Sequence, residues 1–360
     1  MILQTQPPLH LTYCLNIHPG ETWAENFAAI REKTMAVKAR VAPDKPFGLG
    51  LRLGRAAADS LAGRARRADV RKFLDDHGLY VFTINGFPYG QFHGTRVKEN
   101  VYAPDWRAPE RRDYTHLLVD ILADFLPDGV NGSISTVPGS FKPWIRNESD
   151  VKAVVANLTA CAEHVADRNI WLALEPEPGC FLETTEETIR FFSELLPDRA
   201  RRRLGVCFDT CHAAVQFENV LQSLRRYLDA GISVAKVQLS AAVEETAEGL
   251  KKFDDPVYLH PTKAKRADGS FQYWNDLPVV LDKDAERLRS HFHVPLFAGN
   301  STAAELTPEF FALLKRGATE HLEIETYTFD VLPRELREGG VVDSIVREYE
   351  WVMKRLESKV

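Results

Sequence analysis

Short apolar runs alternate with longer amphipathic stretches along almost the whole chain. The runs "LTYCLNI" (11–17), "FGLGLRL" (47–53), "YVFTING" (80–86), "GSISTVP" (132–138), "IWLALEPE" (170–177), "LGVCFD" (204–209), "VAKVQLS" (234–240) and "HLEIETY" (321–327) are the length of strands covered on both faces. Helical spacing fills the gaps, as in "ETWAENFAAIREKTMAVKARV" (21–41) and "SDVKAVVANLTACAEHVADRN" (149–169), and "GGVVDSIVREYEWVMKRLES" (339–358) follows the last run. Strand and helix repeated eight times predict an α/β chain folded as a closed (β/α)8 barrel, with a doubly wound open sheet as the alternative. We expect one domain over 1–360, with the barrel at about 9–357. The pattern breaks at two long connections, 87–112 after the third strand and 241–302 after the seventh, which contains a further apolar run, "HFHVPLF". In a parallel barrel both lie at the C-terminal face, where catalytic loops sit.

Composition narrows the partners. A net charge of −6 provides no excess of Lys and Arg to neutralise phosphates, so no nucleic acid is expected. No apolar run reaches the ~18 residues that span a bilayer, and "MILQTQPPLHLTY" lacks the basic start and long apolar stretch of a leader. The expectation is a cytoplasmic protein without membrane insertion; oligomeric state is not legible. The five cysteines, at 14, 161, 180, 207 and 211, are an odd number in a large chain and read as small buried residues.

Acidic and imidazole side chains gather at the predicted strand ends. Glu175 and Glu177 close the fifth strand, Asp209 and His212 the sixth, Gln238 the seventh and Glu325 the eighth, while His291 and His293 lie in the seventh connection. Asp209 alone reads equally well as a helix N-cap or as a ligand. Together, Glu175, Asp209, Gln238, His291, His293 and Glu325 form an oxygen-rich ligand set for a divalent metal: Mn²⁺, Mg²⁺ or Co²⁺, with Zn²⁺ favoured as imidazoles join. Glu175, Glu325 and His212 are the candidate catalytic residues, the two carboxylates as proton carriers to a bound hydroxy-ketone. Asn16, His18, Asn85, His93 and Lys236 are candidate substrate contacts. Strand parity also aims Lys236 and Glu323 into the barrel one layer below the metal, where they should pair. "NGFPYGQFHGTR" (85–96) reads as a lid, with Arg96 and Lys98 placed to meet an anion.

"LALEPEP" with Glu175, "FDTCH" with Asp209 and His212, the strand-end "VQLS", "HFHVP", and "EIETY" with Glu325 together resemble the xylose-isomerase-like TIM barrels, which include sugar isomerases, epimerases and endonuclease IV. "LTYCLNIHPGETW", "GLRL", "VFTINGFPYGQFHGTRVKENVYAPDW" and "GSISTVPGSFKPW" are similar to the EboE metabolite traffic family of bacterial ebo operons. The first resemblance implies a divalent metal held by Glu175, Asp209, residue 238 and Glu325, with His212 touching substrate or a second metal. It departs at Gln238, where a His is usual, so that His291 or His293 would supply the missing nitrogen. The second implies a place in the biosynthesis or export of secondary-metabolite precursors. The expected function is that of a metal-dependent isomerase or epimerase of a small polyhydroxylated metabolite, a sugar, a cyclitol or their phosphates. Two alternatives stand beside it: a non-catalytic metabolite-binding barrel, and an endonuclease IV-like phosphodiester hydrolase, which would need further His ligands from the second and third strands.

Overall fold

The computed structural model describes residues 1–277 and 285–358. Eight parallel strands form the expected barrel: β1 Leu9–Tyr13, β2 Phe47–Arg52, β3 Leu79–Asn85, β4 Gly132–Thr136, β5 Ile170–Leu174, β6 Leu204–Asp209, β7 Val234–Leu239 and β8 His321–Ile324. The order around the sheet is β1-β8-β7-β6-β5-β4-β3-β2. Closure between β1 and β2 rests on one bridge, Cys14 to Gly50, and on the Thr12 hydroxyl donating to Gly48 O at 2.7 Å. Nearly every strand residue is buried, because helices such as Arg64–Asp76, Pro109–Phe125, Glu148–His164 and Gly340–Glu357 cover the outside. Among the described residues no helix is long and apolar enough to cross a membrane, and all five cysteines are buried and free.

β1 lies two residues earlier than the apolar pattern suggests, so Asn16 sits in a short 3₁₀ turn, Leu15–Ile17, above the strand rather than in it. The larger difference is the seventh connection. It is not an open loop but an antiparallel sheet in the order 271–274, 262–266, 285–294, 241–245, and its residues 278–284 lie outside the described residues. "HFHVP" is the end of the ten-residue strand Ala285–Val294. Its charges disguised it: the buried Arg289 is held by Glu244 at 2.6 Å, by Ala214 O at 2.7 Å and by Glu305. Register slips between Ser290–Val243 and His293–Ala242, a bulge of the kind that re-aims side chains.

The barrel interior is polar below the mouth as well as at it. Lys236 and Glu323, both fully buried, pair at 2.5 Å across β7 and β8, as parity predicts. The Glu323 carboxylate occupies the space where a side chain at Gly50 would go: a Cβ there would stand 1.7 Å from Oε1. Lys236→Met alone is expected to cost about 3–5 kcal/mol in urea unfolding by stranding Glu323, and the double change Lys236→Met/Glu323→Leu should recover most of that loss. Equal stability of the single variant and the wild type would show that the pair carries no such weight.

Candidate functional site

Each chemical residue at the mouth stands where a strand gives way to a turn. Asp209 ends β6 and resolves its two readings by using one oxygen for each. Oδ1 caps the helix Thr210–Val215, accepting from the His212 amide at 3.0 Å and from Ser240 Oγ at 2.7 Å, while Oδ2 has no partner. Glu175 and Glu325 follow the last residues of β5 and β8. Oxygens of Glu175, Asp209 and Glu325 lie within 4.8 Å of one another, all buried. Gln238, opposite Asp209 in the β6–β7 register, is fully buried with neither amide atom partnered.

Nitrogen donors border this carboxylate group. His212 Nδ1 meets Pro176 O at 2.9 Å, which assigns its proton there and leaves the Nε2 lone pair facing His291 Nε2 at 3.0 Å. Two nitrogens bound to one tetrahedral zinc would stand about 3.3 Å apart, close to this separation. His293 Nδ1 meets Glu325 O at 3.1 Å, and its Nε2 has no partner. Asp209 can join His212 and His293, and Glu177 can join His212 and His291, in further groups tight enough to hold a cation. Both imidazoles of "HFHVP" therefore reach the site.

Burial and mutual charge dominate the electrostatics. The Glu175 carboxyl is pushed up to about 8, first by burial and then by Asp209. Burial, with Glu175 and Asp209, also drives Glu325 well above the usual carboxylate range. Burial works against the Asp209 charge too, but His212 and His293 in their charged forms, with hydrogen bonds from Ser240 and the His212 amide, draw Asp209 down. Burial depresses all three imidazoles, His212, His291 and His293, which keeps them in the neutral form that binds metal. Three carboxylates, an unpartnered amide and neutral imidazoles, several with orphaned buried atoms, make a donor set that fits a divalent cation.

Above the site is a cavity at the mouth of the barrel. Asn16 and Asn85 line it and donate to Glu325 Oε1 at 2.7 and 3.2 Å, and Glu175, His212, His291 and Glu325 also face it. His18 and His93 do not. His18 is buried against the Tyr13 hydroxyl at 2.9 Å, while His93 Nε2 lies 2.7 Å from Asn16 O and ties the third connection down. Lys236 lies in the layer beneath, with Glu323. Arg96 is exposed, and Lys98 is held by Asp276 at 2.7 Å and by Tyr258 O at 2.7 Å. The third connection and the inserted sheet meet over the mouth, where Val97 N donates to Val257 O at 2.8 Å and Phe92 packs on Tyr258 and Tyr327. Glu177, one of the strand-end carboxylates but assigned no role from sequence, accepts from the Tyr102 hydroxyl at 3.1 Å and faces His291 at 3.6 Å. Tyr102, Tyr258 and Tyr327, which also line the cavity, were missed, and no local pattern marks them.

Several solved structures share this architecture. D-allulose 3-epimerase from Methylomonas sp., in complex with D-allulose, superposes with a TM-score of 0.56 at 16% identity, over 96% of this chain and 97% of that one. The probable 3-DHS dehydratase AsbF from Bacillus anthracis gives 0.56 at 13%, over 96% and 98%. The IolI protein with a bound zinc atom gives 0.54 at 12%, over 97% and 98%. Identities this low speak to the fold alone. No curated protein sequence matches at a significant level. The family model for xylose isomerase-like TIM barrels matches residues 51–344, most of the chain, and the protein belongs to that family.

Proposed function

We propose that the protein is a divalent-metal-dependent isomerase or epimerase of a small polyhydroxylated molecule such as a sugar, a cyclitol or their phosphates. The observation that carries this reading is the meeting of Glu175, Asp209 and Glu325 within 4.8 Å, with Glu175 and Glu325 lining the cavity at the mouth. A divalent cation held by these three and by Gln238 Oε1 would supply Lewis-acid stabilisation of negative charge on a substrate oxygen. Asp209, held low, serves as a ligand. Glu175 and Glu325, whose proton affinities are raised toward neutrality or beyond, are suited to take a proton from carbon beside a carbonyl and to return one. Asn16 and Asn85 hold Glu325 through Oε1 and so fix its orientation. His212 presents a neutral Nε2 to substrate or to a second cation shared with His291, His293 or Glu177. The sugar bound in the structurally similar D-allulose 3-epimerase supports the ligand class. The likeness of the third connection to EboE supports a role in making or exporting precursors of secondary metabolites.

Phosphodiester hydrolysis has less support, because β2 ends in Arg52 and β3 in Asn85, where the extra imidazoles would be needed. A binding barrel without turnover is favoured only by the neutral Gln238, and an exchange experiment separates it from the enzyme. Metal-loaded protein in D₂O, given a panel of ketoses, inososes and their phosphates, should introduce deuterium next to the carbonyl. Glu175→Gln and Glu325→Gln should lose roughly 10²-fold or more of that rate. A ligand that binds the metal-loaded wild type without exchange would favour the carrier.

The raised proton affinity of Glu175 has a thermodynamic sign of its own. Between about 4.5 and 8 the folded metal-free state holds a proton that the unfolded chain has lost, so stability falls as pH rises through that window. The slope is at most about 1.4 kcal/mol per pH unit for one group. In chelator, Glu175→Gln should flatten the slope and be the more stable protein at pH 8, with the difference vanishing below pH ~4.5. Added Mn²⁺ should stabilise the wild type more than the variant. Parallel stability profiles for the two proteins in chelator would refute the assignment.

A further inference from the structure

We infer that the substrate carries a flat apolar group beside its oxygenated head and that the upper half of the mouth cavity holds that group; this rests on the metal-and-carboxylate reading of the floor. The cavity is divided by chemistry. Its polar side chains lie at the base: Asn16, Asn85, Glu175, Glu177, His212, His291 and Glu325. Its upper wall is Phe87, Pro88, Phe92, Val97, Val101 and Leu259, none of which has a side chain able to form a hydrogen bond. The polar groups that do approach this upper part are largely spent. The Tyr102 hydroxyl donates to Glu177, and its ring stacks on Phe141 with centroids 5.1 Å apart and planes within 9°. The Lys98 ammonium is satisfied by Asp276 and by the carbonyls of Tyr258 and Asp255. Among the described lining residues only Tyr258 and Tyr327 bring further hydroxyls, on rings packed 5.1 Å from each other and against Phe92.

A molecule with a hydroxyl on every carbon would satisfy its first oxygens on the floor and leave the distal ones facing aliphatic and aromatic carbon, where each unpaired hydroxyl is costly. An aryl or comparable flat group in the same place would gain from burial and from ring contacts. A phosphate is also a poor fit, because the one cationic side chain among the described lining residues, Lys98, is already paired with Asp276.

The test compares three probes on Mn²⁺-loaded full-length protein by calorimetry: scyllo-inosose, each of its mono-O-benzyl ethers, and its monophosphates. At least one ether should bind about tenfold or more tightly than the parent, and the monophosphates no better than the parent. Val101→Ser and Leu259→Ser, each checked for folding and metal content, should reduce the ether-to-parent ratio severalfold. The inference is overturned if no ether is preferred, if a monophosphate binds tightest, if no probe binds, or if the ratio is unchanged in both folded variants. Deuterium exchange on the same probes separates it from the reading beneath it. Exchange without ether preference removes the apolar subsite and leaves proton transfer standing. Ether preference without exchange does the reverse.

Discussion

Buried negative charge is the constraint on which the rest of this structure depends. Glu175, Glu177, Asp209 and Glu325 are all at most 6% exposed, and the first two and Glu325 line one cavity, while Lys236 in the layer beneath is taken by Glu323. Two carboxylate charges 4.8 Å apart repel by on the order of 3 kcal/mol at an effective dielectric of about 20, before any cost of desolvation. Such a group folds only with protons, hydrogen bonds or a cation to offset it. All three devices are visible. Glu175 and Glu325 are driven toward protonation, Asn16, Asn85, Ser240 and the His212 amide donate to individual oxygens, and the remaining unpartnered atoms converge as ligands do. The same excess charge that makes the empty-handed site unstable tunes two acids for proton transfer near neutrality.

The site is assembled from two sources. The barrel supplies its oxygen half, from the ends of β5, β6, β7 and β8. The inserted sheet supplies nitrogen, through His291 and His293, and with the third connection it also supplies the roof. Arg52, at the end of β2, holds the roof to the barrel by bonding Glu21 at 2.7 Å and the carbonyls of Gly20 and Gly90 at 2.9 Å. Loss of order in the insertion would therefore remove donors and expose the cavity together.

The strands were legible because parallel strands buried on both faces leave uninterrupted apolar runs, and the carboxylates because each interrupts such a run at its end. Parity reached further, predicting the Lys236–Glu323 pair without any contact information. Asp209 could not be decided from sequence because cap and ligand are not exclusive: they use different oxygens of one carboxylate. The inserted sheet was hidden because the buried Arg289 is satisfied by Glu244, which is distant in sequence, and the neighbouring Arg287 is exposed, so the strand carried a surface-like composition. His18, His93 and Lys98 have site-like chemistry, but their partners, Tyr13, Asn16 O and Asp276, show that they hold the frame around the cavity. Those pairings arise from tertiary approach, which local pattern does not encode.

The central claim is that the carboxylate cluster exists to hold a divalent cation. Anomalous diffraction from crystals soaked in Mn²⁺, recorded at the manganese edge, tests it most directly. The account predicts a peak bounded by Glu175, Asp209, Gln238 and Glu325, with Mn–O distances of about 2.0–2.3 Å. Well-diffracting soaked crystals with no peak among those residues, or with manganese only at surface carboxylates, would contradict it.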